Sequence, residues 1–88
     1  MSPEDTKYYE TYFGLFGSEG WKQFVNDITE ANKIAKEGTH YSATSDEFFI
    51  KKGNIQTLTY IENFEEVVNR NYESLVEAEA SEVADAIL

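Results

Sequence analysis

GSEGWKQFVNDITEANKIAKEG, residues 17–38, is the stretch that decides the fold. Gly17 and Gly38 bracket it, and Ser18 stands where a helix N-cap belongs. A serine hydroxyl there can accept a hydrogen bond from a free amide of the first turn. Trp21, Phe24, Val25, Ile28, Ala31 and Ala35 recur at steps of three and four, which stacks them along one helical face. Gly38 is placed to adopt the left-handed conformation that closes many helices. The helix is about 30 Å long, and its apolar stripe requires a partner.

Upstream, Ser2-Pro3-Glu4-Asp5 reads as a helix start. Ser2 caps, Pro3 occupies the first helical position, and the two acids face the positive end of the helix dipole. Tyr8, Tyr9, Tyr12, Phe13, Leu15 and Phe16 follow at helical spacing and wrap more than half of the circumference. A helix so apolar is buried on two sides or lies in a seam between molecules. Gly14 and Gly17 each weaken it by about 1 kcal/mol relative to alanine. The chain is expected to bend near Gly17-Ser18, with one long kinked helix over residues 3–37 as the alternative.

Downstream, THYSAT (residues 39–44) forms a loop, and Thr44-Ser45-Asp46-Glu47 carries a capping-box pattern. Two long helices joined by so short a loop lie antiparallel. His40 and Tyr41 then sit at the tip of a hairpin. On the second arm Phe48, Ile55, Leu58 and Ile61 share one side, whereas Phe64, Val68, Tyr72 and Leu75 form a stripe rotated by roughly a quarter turn. Either the helix follows a seven-residue repeat and supercoils, or it breaks at Asn63, which with Glu66 resembles a second start signal. The break is the favoured reading. Gly53 lies inside this arm, where another helix could approach it closely; Trp21 is the candidate neighbour. The segment EAEASEVADAIL, residues 77–88, favours helix and carries a narrow apolar strip of Val83, Ala84, Ile87 and Leu88. It extends the last helix, folds back, or waits for a partner groove.

Eighty-eight residues make one small domain. A domain of this size buries only about 60% of its unfolded surface. The chain has no cysteine and a single histidine, His40, so disulfides and clusters of thiolate or imidazole ligands are excluded. Oligomerisation is the remaining supplement, and thirteen aromatic residues make it the expected one. No apolar run is long enough to span a bilayer. The opening MSPEDTKYY carries acids where a signal peptide carries bases, which points to an intracellular product.

Seventeen acids against seven bases give a net charge of −10. Such a field repels phosphates and anionic lipids, so neither direct nucleic-acid binding nor membrane binding is expected. Eight of the acids fall in residues 62–88, opposed only by Arg70. They read as a solvated helix face or as an acidic surface that docks on a basic partner. In the second case Glu77, Glu79 and Glu82 supply steering, and Val83, Ile87 and Leu88 supply apolar burial. Catalysis is not expected. Glu65 and Glu66 are adjacent on a helix and point about 100° apart, so they do not converge on one substrate. No calcium-loop or Glu-x-x-His pattern is present, and neither a metal nor another cofactor is anticipated.

The segments KYYETYFGLFGSEGWKQFVNDI, FFIKKGNIQTLTYIENFEEVV and NYESL carry a resemblance. An aromatic first helix leads to Gly20-Trp21-Lys22. After a loop comes Phe49-Ile50-Lys51-Lys52-Gly53, and later Asn63-Phe64-Glu65-Glu66. In these features the chain resembles small acidic proteins of marine short-tailed phages (podoviruses), including cyanophages. The resemblance covers residues 7–75. It implies phage origin and a helical hairpin rather than an activity.

The resulting expectation is an all-α chain. It comprises an aromatic helix over residues 1–17, a first hairpin arm over 18–38, a loop over 39–44, a second arm over 45–79 with a break near 63, and a tail over 80–88. Tyr8, Tyr12, Phe13, Phe16, Trp21, Phe24, Ile28, Ile55, Leu58 and Ile61 are the candidates for core or oligomer packing, in a dimeric helical bundle. The expected role is that of a non-enzymatic protein-binding factor, either a small accessory in the virion or a factor in its assembly, present in the host cytoplasm during infection and, in the first case, incorporated in the virion. Its partner would be a phage structural protein or a host protein. The alternative role is an acidic, DNA-mimicking inhibitor that blocks a basic site on a host polymerase or nuclease.

Overall fold

The computed structural model describes the backbone of residues 1–87 and the side chains of residues 1–84. The described chain is all-α, with no strand. Helix α1 spans Pro3–Phe16, α2 Glu19–Gly38, α3 Ser45–Glu62 and α4 Phe64–Ile87, and a single 3-10 turn, Thr39–Tyr41, follows α2. Two compact units result. One is Glu19–Phe64; the other joins Met1–Ser18 to the chain from Glu65 onward.

The first unit is the hairpin of α2 and α3. Its seam on α2 and into the turn that follows consists of Trp21, Val25, Ile28, Asn32, Ala35 and Thr39, all half-buried or buried. The steps are four, three, four, three and four, the repeat of a coiled-coil seam. Lys51, Ile55, Leu58 and Glu62 answer it on α3 with the same rhythm, and all are half-buried. The sequence reading placed the stripe slightly differently, because Phe24 and Ala31 also satisfy helical spacing. In the structure Phe24 is 45% exposed, and the buried position beside Ala31 belongs to Asn32.

Asn32 is 1% exposed. Its amide Nδ2 donates to Thr59 Oγ1 at 3.1 Å and to Glu62 Oε1 at 2.6 Å, both across the seam. Its Oδ1 is buried without a hydrogen-bond partner. The orientation follows from charge: turning the amide over would set its oxygen against the Glu62 carboxylate. A polar residue at one seam position fixes the register of two helices, because any slip strands it among apolar groups.

The C-terminal end of α2 closes by means that helical spacing does not reveal. Gly38 has φ −69°, and no glycine in the described chain has positive φ. The expected left-handed closure is therefore absent, and the backbone passes directly into the 3-10 turn. The carbonyl of Gly38 instead accepts from Lys51 Nζ at 3.2 Å, which brings a cation to the negative end of α2. Lys51 Nζ also lies 3.0 Å from Glu47 Oε1. At the start of α3 the Glu47 amide donates to Thr44 Oγ1 at 3.1 Å, as expected of a cap. The Glu47 carboxylate accepts from the Ala43 amide at 3.0 Å, one residue earlier than a capping box requires. That backbone bond, followed by Lys51, holds the Glu47 carboxyl below the usual carboxylate range. At the other end of the hairpin the Trp21 ring lies 6.2 Å from Phe64 and 5.9 Å from Phe24.

Gly53 does not receive Trp21. In an antiparallel hairpin the start of α2 faces the end of α3, whereas Gly53 belongs to the first half of α3. A methyl group built at Gly53 would meet nothing within 4 Å. The break at Asn63 is present: α3 ends at Glu62, α4 begins at Phe64, and the Asn63 amide bonds back to Thr59 O at 3.1 Å.

The second unit pairs α1 with α4. Ser2 and Asp5 form the full reciprocal cap, with Asp5 N to Ser2 Oγ at 3.1 Å and Ser2 N to Asp5 Oδ2 at 3.3 Å. Tyr72 of α4 meets two rings of α1, Tyr9 at 5.2 Å and Phe13 edge-on at 5.1 Å. The amino group of Met1 is ion-paired with Glu79. Residue numbers fall on α4 as they rise on α1, so the two helices run antiparallel. Phe16 and Val68 are the hydrophobic side chains classed as buried among the described residues. On α4 the inner stripe is Val68, Tyr72, Leu75 and Glu79, again at steps of four, three and four.

Two predictions follow from the hairpin. Asn32→Asp places a buried carboxylate beside Glu62, which raises its folded pKa above the unfolded value. Stability is then lost as pH rises through that interval and restored below it. A cost of about 2–4 kcal/mol at pH 7 is expected, shrinking toward pH 4, in urea denaturation followed by circular dichroism. A cost that does not change with pH would separate Asn32 from Glu62. Gly53→Ala, measured in dilute protein, is expected to add about 1 kcal/mol, because the new methyl group meets open space in a helix interior.

Candidate protein-binding surfaces

Three surfaces carry the exposed chemistry. The first is the outer side of α4. Glu66, Arg70, Glu73 and Glu77 are all exposed and lie opposite the Val68–Tyr72–Leu75 stripe, as their spacing of four, three and four dictates. Arg70 Nη2 bonds Glu66 Oε1 at 2.8 Å, a pair within one helix, so the face stays acidic overall. The residues expected to dock a partner do not share one face. Glu77 belongs to this outer stripe. Glu79 lies on the inner side, half-buried and paired with the Met1 amino group. Glu82 and Val83 are exposed on the last turns. The Ile87 side chain and Leu88 lie outside the described residues. Residues 80–87 continue α4 without interruption.

The second surface is the side of α1 that carries Tyr8. Tyr8 is exposed and Tyr12 half-buried, with Tyr8 set edge-on to Tyr9 and Tyr12 at 5.1 Å. Glu4, Lys7, Tyr8, Thr11 and Tyr12 border an open depression of about 430 Å³. Tyr12 stacks on Phe16 at 5.8 Å, which ties this outer cluster to a buried residue of the unit. Phe13 turns the other way, toward Tyr72.

The third surface was not recognised in the sequence. Phe49, Ile50 and Tyr60 project from α3 on the side away from α2. Relative to Phe49, roughly 100° per residue places Tyr60, Gly53, Thr57 and Ile50 in order across one quadrant. Ile55 and Leu58 fall on the opposite side, in the seam. The signal was available: FFI at residues 48–50 cannot all face one partner, since three consecutive helical residues span about 200°. Of the remaining packing candidates, Ile28, Ile55, Leu58 and Ile61 are half-buried in the hairpin, and Phe16 is buried in the other unit.

Among the described residues no group of His, Cys, Asp or Glu is arranged to hold a metal ion, and no helix is long and apolar enough to cross a membrane. No protein-family model, curated protein or solved structure matches the chain.

Trp21 tests the division between core and contact surface. Half-buried between Phe24 and Phe64, it should contribute less than a fully enclosed tryptophan. Trp21→Ala is expected to lower stability by about 2–3 kcal/mol in denaturant titration. An unchanged midpoint would reassign Trp21 to the binding surface.

Proposed function

We propose that this chain is a non-enzymatic protein-binding factor of a short-tailed phage, an accessory to the virion or its assembly that self-associates and presents an acidic docking face. The observation that carries the binding part is the exposure of large apolar side chains on well-formed helices. Tyr8 and Leu15 on α1, Ile34 on α2, Phe49, Ile50 and Tyr60 on α3, and Val76 and Val83 on α4 are all exposed. Side chains of this size on regular helices mark surfaces that protein partners cover. The phage assignment rests on the sequence resemblance in residues 7–75. The acidic stripe Glu66, Glu73 and Glu77 supplies long-range attraction to a basic partner, which raises association rates and fades with salt.

That same stripe supports the second reading, an inhibitor that imitates the regular charge of a DNA strand and occupies a basic site on a host polymerase or nuclease. Mass spectrometry of purified virions separates the two. Stoichiometric amounts of the chain in the particle are expected for the accessory. Absence from the particle, with abundance in the infected cytoplasm, would overturn that role in favour of the inhibitor.

A further inference from the structure

The outer face of α3 is unusual for a helix whose other side is already packed. A helix at the surface of a protein turns polar residues to solvent. Here the side away from the seam carries Phe49, 64% exposed, Ile50, 67% exposed, and Tyr60, 57% exposed. Gly53 lies in their midst, and its Cα faces open space. Packing within the chain gives no reason for a glycine at a position that weakens the helix. Glycine has a reason where another backbone must come close, since it has no side chain to hold that backbone off.

We infer that a second copy of this chain docks on the outer face of α3, antiparallel, with Gly53 at the crossing point. The inference rests on the self-association proposed above and names its surface. Charge selects the occupant. Two chains of net charge −10 repel each other through any face lined with acids. Between Glu47 and Glu62, α3 has no Asp or Glu at all, and its charges are Lys51, engaged with Glu47 and Gly38, and Lys52. This is the face on which a copy meets least repulsion.

Area agrees. With about 150–250 Å² for each aromatic side chain, the exposed fractions of Phe49, Ile50 and Tyr60 leave roughly 350–400 Å² of surface, most of the apolar part that one side of a modest interface needs. One side of a standard interface buries about 800 Å², of which roughly 56–65% is apolar. The register is self-complementary as well. Two-fold symmetry about Gly53 sets Asp46 of one copy level with Tyr60 of the other, a carboxylate opposite a phenolic donor.

Because the chain has no cysteine, the contact can be probed directly. Asp46→Cys combined with Tyr60→Cys, positions that the two-fold sets level across the contact yet about 20 Å apart within one chain, should form a disulfide-linked dimer under mild oxidation, whereas Lys33→Cys, exposed on α2, should stay monomeric on denaturing gels. Sedimentation equilibrium should find the unmodified chain dimeric at micromolar concentration. Gly53→Ala should weaken that dimer at least tenfold, and Ile50→Glu should leave a monomer whose helix content by circular dichroism is unchanged. A chain that stays monomeric throughout would overturn self-association itself. A dimer that tolerates Gly53→Ala and Ile50→Glu, and that fails to cross-link through the Asp46→Cys and Tyr60→Cys pair, would overturn this face while leaving self-association standing.

Discussion

The amide of Asn32, shared between Thr59 and Glu62, is the interaction on which the hairpin's geometry depends. An apolar seam of Val25, Ile28, Ala35, Ile55 and Leu58 supplies attraction, but attraction between smooth stripes does not choose a register. A buried amide does. Moving α3 by one turn would take both acceptors away and leave two N–H donors in an apolar seam, where each unmet bond costs about 1–3 kcal/mol. The unmatched Oδ1 shows what this selectivity costs: the arrangement favours one alignment over the tightest one. Lys51 reinforces the choice at the other end, because it reaches the Gly38 carbonyl only when the helices are correctly aligned.

Much of this was legible in the sequence. Helical spacing, the Ser2 and Thr44 caps and the short loop gave the all-α fold, the hairpin and the interruption at Asn63. What spacing could not resolve was which of two adjacent stripes faces inward on α2. Phe24 and Ala31 compete with Trp21, Val25 and Asn32, and hydrophobicity alone favours the wrong pair. Asn32 was overlooked because an isolated asparagine resembles a surface residue until its partners, 27 and 30 positions away, are known. The closure of α2 was misread for the same reason: Lys51 lies 13 residues beyond Gly38, and local sequence rules do not reach across a loop. Gly53 was read as the place where Trp21 comes close, a neighbour that antiparallel topology alone would have excluded.

The helices also divide the chemical work. α4 has one inner stripe and an acidic back, so solvent satisfies its outer side. α3 has an inner stripe and an apolar back, so water does not. The difference lies in a few residues: Glu66, Glu73 and Glu77 on one helix stand where Phe49, Ile50 and Tyr60 stand on the other. Between Glu47 and Glu62, α3 carries no acid, so the net charge of −10 opposes contact less there than along the outer side of α4.

The division into units bears on the order in which the chain acquires structure during synthesis. The unit Glu19–Phe64 is continuous in sequence, and all its partners are present once the chain has been made through Phe64. The other unit is not. Its α1 is synthesised first, yet Tyr9 and Phe13 must wait for Tyr72, which follows the whole hairpin. During that interval a helix bearing five aromatic rings is without its partner helix, and exposed apolar surface of this kind is what chaperones and aggregation both act on. The hairpin shortens the delay by drawing its own ends together, so that the loop closed when α1 meets α4 is already compact rather than a free chain. Translation speed through the codons for α4 is thus a variable to which the yield of folded protein should be sensitive.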